Sequence, residues 1–118
     1  NTILKKTKLK VTNTKFYLWT DKKGRYICAS KCYLKNGKRW TIYLDIIHEL
    51  IHVKQFYEGK NLYDTHFDYI NAPIEIEAYC ITVKEAKRIG ATKKQIGYYL
   101  KVPWITRTEC SKLFKKVC

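Results

Sequence analysis

The stretch Asp45–Lys54, DIIHELIHVK, is the segment around which the chain is expected to fold. His48 and His52 are four residues apart, so on an α-helix they lie one turn above each other on the same face. Glu49 completes the pattern His-Glu-x-x-His, in which two imidazoles bind zinc and the glutamate acts as general base. Aliphatic residues surround this triplet, which is typical of a buried helix. Because burying such groups is costly, we expect a zinc site rather than packed or solvated histidines.

Length and composition indicate one domain spanning residues 1–118. The chain has 118 residues, of which 46% are hydrophobic and 14% aromatic. This is enough for one modest hydrophobic core, but the chain is too short for two. It contains no run of 18 apolar residues, so no transmembrane helix and no membrane partner are expected. The first fifteen residues are polar and rich in lysine, unlike the apolar segment of a signal peptide.

The net charge of +14 is unevenly distributed along the chain. Residues 1–40 carry 12 Lys and Arg against one Asp, residues 41–92 carry 5 basic and 8 acidic residues, and residues 93–118 carry 7 basic residues and one acidic. The acidic residues therefore gather around the predicted metal site. A large positive charge favours nucleic acids or acidic surfaces. The lysines lack an Arg-rich or aromatic-interleaved pattern, so we interpret them as solvated side chains and expect no nucleic-acid partner.

The cysteine count argues against a secreted disulfide scaffold, because five cysteines leave at least one unpaired. A disulfide from Cys110 or Cys118 to the N-terminal half is left open. The five positions are Cys28, Cys32, Cys80, Cys110 and Cys118.

Short strands and turns are predicted ahead of the motif. Phe16–Trp19 fits either a strand or the end of a helix, and Arg25–Ser30 is predicted to be a strand beside it. Asp21–Gly24 and Asn36–Gly37 are turn sequences. From about Lys38 apolar residues recur every three or four positions until Gly59, which predicts one helix carrying the motif in its second half.

Three further helices are predicted after a loop over residues 60–71. The first begins with Asn71 as N-cap and Pro73 in its first turn, and it ends at Gly90. Thr92–Gln95 is a capping box for the next helix, which ends before proline 103. Thr106–Glu109 opens a terminal amphipathic helix. Its apolar side holds Cys110, Leu113, Phe114 and Val117.

A catalytic zinc usually has three protein ligands and one open position. His66 does not fit the longer motif His-Glu-x-x-His-x-x-Gly-x-x-His, because positions 55, 58 and 62 are Gln, Glu and Leu. Glu75 and Glu77 lie at the start of the helix that is predicted to begin at Asn71. They differ by about 200° around its axis, so only one can face the ion. Glu75 is the predicted ligand, because its face continues through small or polar residues, and Glu77 is the runner-up. The residues on the Glu75 face are Ala78, Tyr79, Thr82 and Ala86.

Two segments, His48–His52 and Pro73–Tyr79, together resemble the minigluzincins, small zinc peptidases of archaea in the gluzincin clan. The resemblance covers roughly residues 25–90. It implies an α+β fold with a small N-terminal strand layer, an active-site helix, a glutamate helix and C-terminal helices. It also implies a cytoplasmic enzyme that is often latent. Related families commonly have Glu-x-x-Ala-Asp or Glu-x-x-Ala-Asn in the glutamate helix, whereas Tyr79 follows Ala78 here, so the usual hydrogen-bonding carboxylate or amide has no counterpart.

The activity implied is that of a zinc-dependent endopeptidase acting on peptides or unfolded proteins. Glu49 would deprotonate a zinc-bound water and later protonate the leaving amine. The oxyanion of the tetrahedral intermediate needs a hydrogen-bond donor beside the metal. Four residues are candidates that the sequence does not separate: Tyr63, His66, Tyr69 and Tyr79.

Alternative functions follow from the same sequence. The chain could be a basic nucleic-acid-binding module with a structural or vestigial zinc site, or a zinc domain that binds a partner without catalysis. The C-terminal segment 106–118 is apolar on one side and basic on the other. It could obstruct the acidic cleft of its own molecule or associate with a neighbouring copy, or it could simply complete the core.

Overall fold

The computed structural model describes residues 7–13, 18–20, 26–62 and 66–118, and the account below concerns these residues. They form the predicted α+β fold, in which three short strands precede the helices. The chain divides into two compact units, residues 1–63 and residues 64–118. Each unit is described by itself.

The first unit begins with a three-stranded sheet. Its strands are β1 (Lys8–Thr12), β2 (Leu18–Thr20) and β3 (Tyr26–Ser30). The order is β1-β3-β2, with β3 parallel to β1 and antiparallel to β2. The predicted strand before the first helices is thus confirmed, and so is its neighbour in the part that is described. The predicted turn Asp21–Gly24 lies outside the described residues.

The central strand β3 is the buried part of this sheet. Ile27, Cys28, Ala29 and Ser30 are all buried, as expected for a strand paired on both edges. The outer strand β1 is exposed: Leu9 retains 56% and Val11 52% of their accessible surface. The core of the first unit therefore lies along β3 and not along β1.

A short helix that the sequence pattern does not predict follows β3. This helix, α1, spans Lys31–Asn36, and the Ser30 hydroxyl caps it by accepting the Tyr33 N–H at 3.4 Å. The predicted turn Asn36–Gly37 is where α1 ends, with the Gly37 N–H donating to the Tyr33 carbonyl at 2.7 Å. Cys32 is consequently helical.

The long helix of the first unit is α2, Arg39–Tyr57, and it carries the motif as predicted. It ends in a Schellman motif: the Lys60 N–H donates to the Gln55 carbonyl, and the Gly59 N–H donates to the Phe56 carbonyl, both at 3.0 Å. Gly59 has φ of +85°, the left-handed conformation that such a helix end requires. The predicted stop at Gly59 is therefore confirmed.

The second unit consists of a 3₁₀ turn, Tyr69–Asn71, and three helices. The helices are α3 (Pro73–Arg88), α4 (Lys93–Leu100) and α5 (Arg107–Val117). Asn71 is not the N-cap of α3, as had been predicted, because it ends the 3₁₀ turn and Ala72 occupies the cap position. The Asn71 side chain instead accepts a hydrogen bond from the Lys116 ammonium.

The last helix, α5, packs against α3, α4 and the 3₁₀ turn. Leu113 and Val117 are buried, and the Lys116 ammonium donates to the Ile70 carbonyl at 3.0 Å. Both predicted capping boxes form, at Thr92 and at Thr106. The terminal helix thus completes the core of the second unit, which is one of the three roles considered for it.

None of the five cysteines is in a disulfide, so the bond considered from Cys110 or Cys118 to the N-terminal half does not form. Cys118 is exposed at the end of α5, but partial burial raises the pKa of its thiol. Within the described ranges, no helix combines the length and the apolar character needed to cross a membrane.

Candidate metal centre

Helix α2 places both motif histidines on its buried face. Leu44, His48, His52 and Gln55 follow one another at intervals of four, four and three residues, and all four are buried. His48 is 5% and His52 7% exposed, which leaves each ring only a small opening to solvent. The histidines are thus held by the packing of the helix itself and not by a loop.

The two imidazoles point their outer nitrogens at the same place. The distance from His48 Nε2 to His52 Nε2 is 3.1 Å, and the ring planes are nearly perpendicular at 86°. Two nitrogens bound tetrahedrally to one zinc, each at about 2.0–2.1 Å, are about 3.3 Å apart. The spacing of the histidines therefore fits two ligands of a single ion.

Glu49 brings a carboxylate to the same place. One of its oxygens and one ring nitrogen from each histidine lie within 4.8 Å of one another, so His48, Glu49 and His52 could hold a metal ion. Strand β2 of the first unit also holds this carboxylate. Thr20, at the end of β2, donates its hydroxyl to Glu49 Oε2 at 2.6 Å.

A buried amide fixes the orientation of the second histidine. Gln55 has no exposed surface, and its Oε1 is 2.8 Å from His52 Nδ1. An amide oxygen can only accept, so this bond places the proton of neutral His52 on Nδ1. The lone pair is then on Nε2, the nitrogen that faces His48, which is the tautomer that metal binding needs.

A second carboxylate lies one helical turn before the motif. Asp45 precedes Glu49 by four residues, on the same side of α2. The Tyr33 hydroxyl, on α1, donates to Asp45 Oδ2. This bond connects α1 to the turn of α2 that precedes the motif.

Beyond the motif, the end of α2 carries an exposed ionic cluster. A hydrogen bond from Lys54 lowers the pKa of Glu58, and the nearby charge of Lys60 acts in the same direction. The Lys54–Glu58 pair spans 2.9 Å with both side chains well exposed. Such a pair contributes little to stability and has no part in the site.

The predicted glutamate ligands lie in the second unit, on the first two turns of α3. Both Glu75 and Glu77 are half-buried. The residues that continue the Glu75 face are buried, whereas those on the Glu77 face are half-buried or, at Lys84, exposed. The two faces thus differ as the sequence analysis described. The choice of Glu75 as third ligand, with Glu77 as runner-up, stays a prediction.

Three of the four oxyanion-donor candidates are described, and they too lie in the second unit. His66 is exposed, whereas Tyr79 is buried and its hydroxyl is 2.5 Å from that of Tyr69. Tyr69 also meets the Trp104 ring edge to face, at 5.6 Å between centroids. The fourth candidate, Tyr63, lies outside the described residues.

Two residues of the site escaped the sequence analysis. Thr20 is 29 residues from Glu49 along the chain, and no local sequence pattern predicts a contact between residues so far apart. Gln55 could have been found, because it lies three residues after His52 on the same helical face.

Comparisons of the chain with protein-family models, with curated proteins and with solved structures give no match.

Proposed function

We propose that this protein is a zinc-dependent endopeptidase. The observation that carries the proposal is the approach of His48 Nε2 and His52 Nε2 to 3.1 Å with the Glu49 carboxylate beside them. Two imidazoles spaced for a single ion, with a carboxylate beside them on the same helix, are the metal ligands and the general base that the His-Glu-x-x-His motif supplies for zinc hydrolysis of a peptide.

The chemistry of the donors favours zinc over calcium and magnesium. Calcium and magnesium prefer sites built from oxygen ligands, whereas imidazole nitrogen suits zinc and several transition metals. The His52 Nδ1–H donates to the buried Gln55 oxygen, which is the hydrogen bond that a ligating histidine normally makes. When bound, zinc would polarise the scissile carbonyl and lower the pKa of a coordinated water.

In this proposal each residue of the motif has one role. His48 and His52 hold the ion through Nε2. Glu49 accepts a proton from the attacking water and passes it to the departing amine. Glu75, with Glu77 as the runner-up, supplies the third ligand, as in the minigluzincins that the motif resembles. The oxyanion donor remains among the candidates Tyr63, His66, Tyr69 and Tyr79.

The position of the sheet supports a peptide as substrate. Within the described sheet, β2 is an outer strand, and its last residue is hydrogen-bonded to Glu49. An outer strand offers backbone N–H and C=O groups to an extended chain. A peptide or an unfolded segment paired with β2 would run beside the general base.

Metal analysis and a peptidase assay together test the proposal. Purified protein should hold about one zinc per chain, removable by a chelator. His52→Ala should lose tight zinc binding. Glu49→Gln should keep the zinc and lose cleavage of casein or a fluorogenic peptide by at least about 100-fold. Stoichiometric zinc in His52→Ala would show that the ion binds elsewhere. Full activity in Glu49→Gln would show that Glu49 is not the general base.

One observation favours the second candidate, nucleic-acid binding. A shallow depression between the ends of β1 and β3 and helix α1 has two lysines in its lining, which comprises Asn13, Ser30, Lys31, Cys32, Lys35 and Asn36. Binding of a nucleic acid there would weaken steeply with salt and be untouched by Glu49→Gln. Loss of binding on Lys31→Glu with Lys35→Glu, in a protein without peptidase activity, would favour this candidate over the first.

A further inference from the structure

The hydroxyl of Thr20 makes a short hydrogen bond to the motif glutamate. Thr20 is 4% exposed and ends strand β2, which packs against α2. Its Oγ1 lies 2.6 Å from Glu49 Oε2 and 3.2 Å from the Glu49 carbonyl oxygen. Since a hydroxyl has one proton and an ionised carboxylate has none, Thr20 donates, and the shorter distance gives that proton to Oε2.

A bond of this kind strongly restrains the carboxylate. Hydrogen bonds from hydroxyls to carboxylates at 2.5–2.7 Å are charge-assisted and roughly twice as strong as neutral ones. The donor ends a sheet strand and the acceptor lies on a 19-residue helix, so the bond joins two regular elements. Glu49 is therefore fixed by a contact between two separate elements of the first unit.

The restraint matters because a carboxylate beside two imidazoles has two chemical options. It can bind the ion directly, at about 2.0–2.2 Å, as the glutamates and aspartates of many zinc sites do. Alternatively, it can stay outside the ligand set and act as a base on a water. A carboxylate that becomes a ligand fills the position that the water or substrate needs, so the two options exclude each other in a catalytic site.

We propose that Thr20 is a positioning residue that holds Glu49 outside the ligand set. With Oε2 engaged by Thr20, the carboxylate is anchored to β2, and this anchor opposes its movement into the ligand set of the ion that His48 and His52 bind. This inference rests on the proposed metal site, and it assigns to a strand residue the task of keeping the fourth position open.

Cobalt spectra and kinetics test the inference together. Thr20→Val removes the hydroxyl and keeps the shape, whereas Thr20→Ser keeps the hydroxyl. In protein loaded with Co²⁺ in place of zinc, we expect Thr20→Val to alter the visible absorption, because Glu49 enters the ligand set, and Thr20→Ser to match the unmodified protein. The kcat for a peptide should fall about 10- to 100-fold in Thr20→Val, with KM within about twofold and Thr20→Ser near the unmodified value.

A double variant makes the test specific to Glu49. If Thr20 acts through that carboxylate, Thr20→Val should change neither the cobalt spectrum nor the residual rate in a Glu49→Gln background. Thr20→Ala serves in the same way if Thr20→Val does not fold. An unaltered cobalt spectrum in both variants that lack the hydroxyl, or a spectral change that persists without Glu49, would overturn the inference. Cobalt spectra that behave as expected in a protein that cleaves no peptide would sink the proposed function and leave this inference standing.

Discussion

Gln55 shows how much of a metal site is decided by residues that do not touch the ion. Its buried amide oxygen is 2.8 Å from His52 Nδ1, and it leaves the Nε2 lone pair directed at the place where His48 Nε2 also points. Removing such a partner frees the ring to rotate and to change tautomer. Partners of this kind typically account for 10- to 100-fold in metal affinity.

We therefore predict that Gln55→Leu weakens zinc binding about 10- to 100-fold while leaving the helix formed. Competition with a chromophoric chelator would measure the affinity, and circular dichroism would check the fold. Lys54→Gln is the matched control, because Lys54 is an exposed neighbour on the same turn and should bind zinc as the unmodified protein does. Equal affinities in the two variants would mean that His52 is oriented by other contacts.

The third ligand is a separate prediction at the same scale. Zinc titrations of Glu75→Ala and Glu77→Ala, run in parallel, should show loss of tight binding in the first variant only. The reason is that Glu75 continues into the buried stripe of α3 through Ala78 and Thr82, whereas the face of Glu77 continues to exposed Lys84. The opposite result would show that α3 presents its other face to the ion.

Only part of the site was predictable from residues alone. The motif histidines and Glu49 are predictable from their spacing, because residues four apart on an α-helix lie on the same face. Thr20 was not, because its contact with Glu49 depends on how a strand packs against a helix, which no local pattern encodes. Tyr33 was missed for a related reason, since it bonds Asp45 from a short helix that was not predicted.

Helix ends are the elements that the sequence predicts best, because capping is local. The capping boxes at Thr92 and Thr106 and the glycine stops at Gly59 and Gly90 all occur where they were expected. The N-cap predicted for α3 was wrong because the 3₁₀ turn extends to Asn71 and Ala72 takes the cap position, while Lys116, 45 residues away, binds the Asn71 side chain. A cap prediction thus holds where no distant group takes the capping side chain.

The two glycine stops give a stability prediction. Gly59 and Gly90 have φ of +85° and +90°, and a Cβ at either position would meet no atom within 4 Å. Alanine there is penalised through the backbone alone, so each substitution should lower the free energy of unfolding by about 1–2 kcal/mol. Urea denaturation followed by circular dichroism would measure it.

Gly97 is the matched control for these two glycines. It lies inside α4, where an added Cβ would make an ordinary contact, at 3.8 Å, with the Phe114 ring. Gly97→Ala should therefore raise the free energy of unfolding by roughly 0.5–1 kcal/mol, because alanine favours a helix interior. A loss of stability at Gly97 equal to that at Gly59 would contradict the backbone explanation.

At the scale of the whole molecule, the net positive charge is a property to which the helices, the strands and the metal site give no role. Residues 1–63 carry 14 Lys and Arg against 4 Asp and Glu, and residues 64–118 carry 10 against 6. Self-association through the basic C-terminal segment stays a prediction, and the packing of α5 determines which variant can test it. Deleting residues 106–118 would remove Leu113 and Val117 from the core of the second unit, and it would test stability instead of association.

Charge reversal on the exposed side of α5 tests self-association without disturbing the core. Lys112 and Lys115 are exposed, and the apolar residues of α5 lie on its other side. If these lysines hold α5 against acidic groups of a neighbouring copy, the specific activity of the unmodified protein should fall as its concentration rises. Lys112→Glu with Lys115→Glu should remove that dependence, and the difference should shrink in 1 M salt, where the Debye length is about 3 Å. Sedimentation velocity on the same samples would show the change in association.

The control, Lys93→Glu with Lys94→Glu on α4, makes the same change in charge at another exposed site. Identical behaviour of the two double variants would show that net charge alone, and not α5, sets any association.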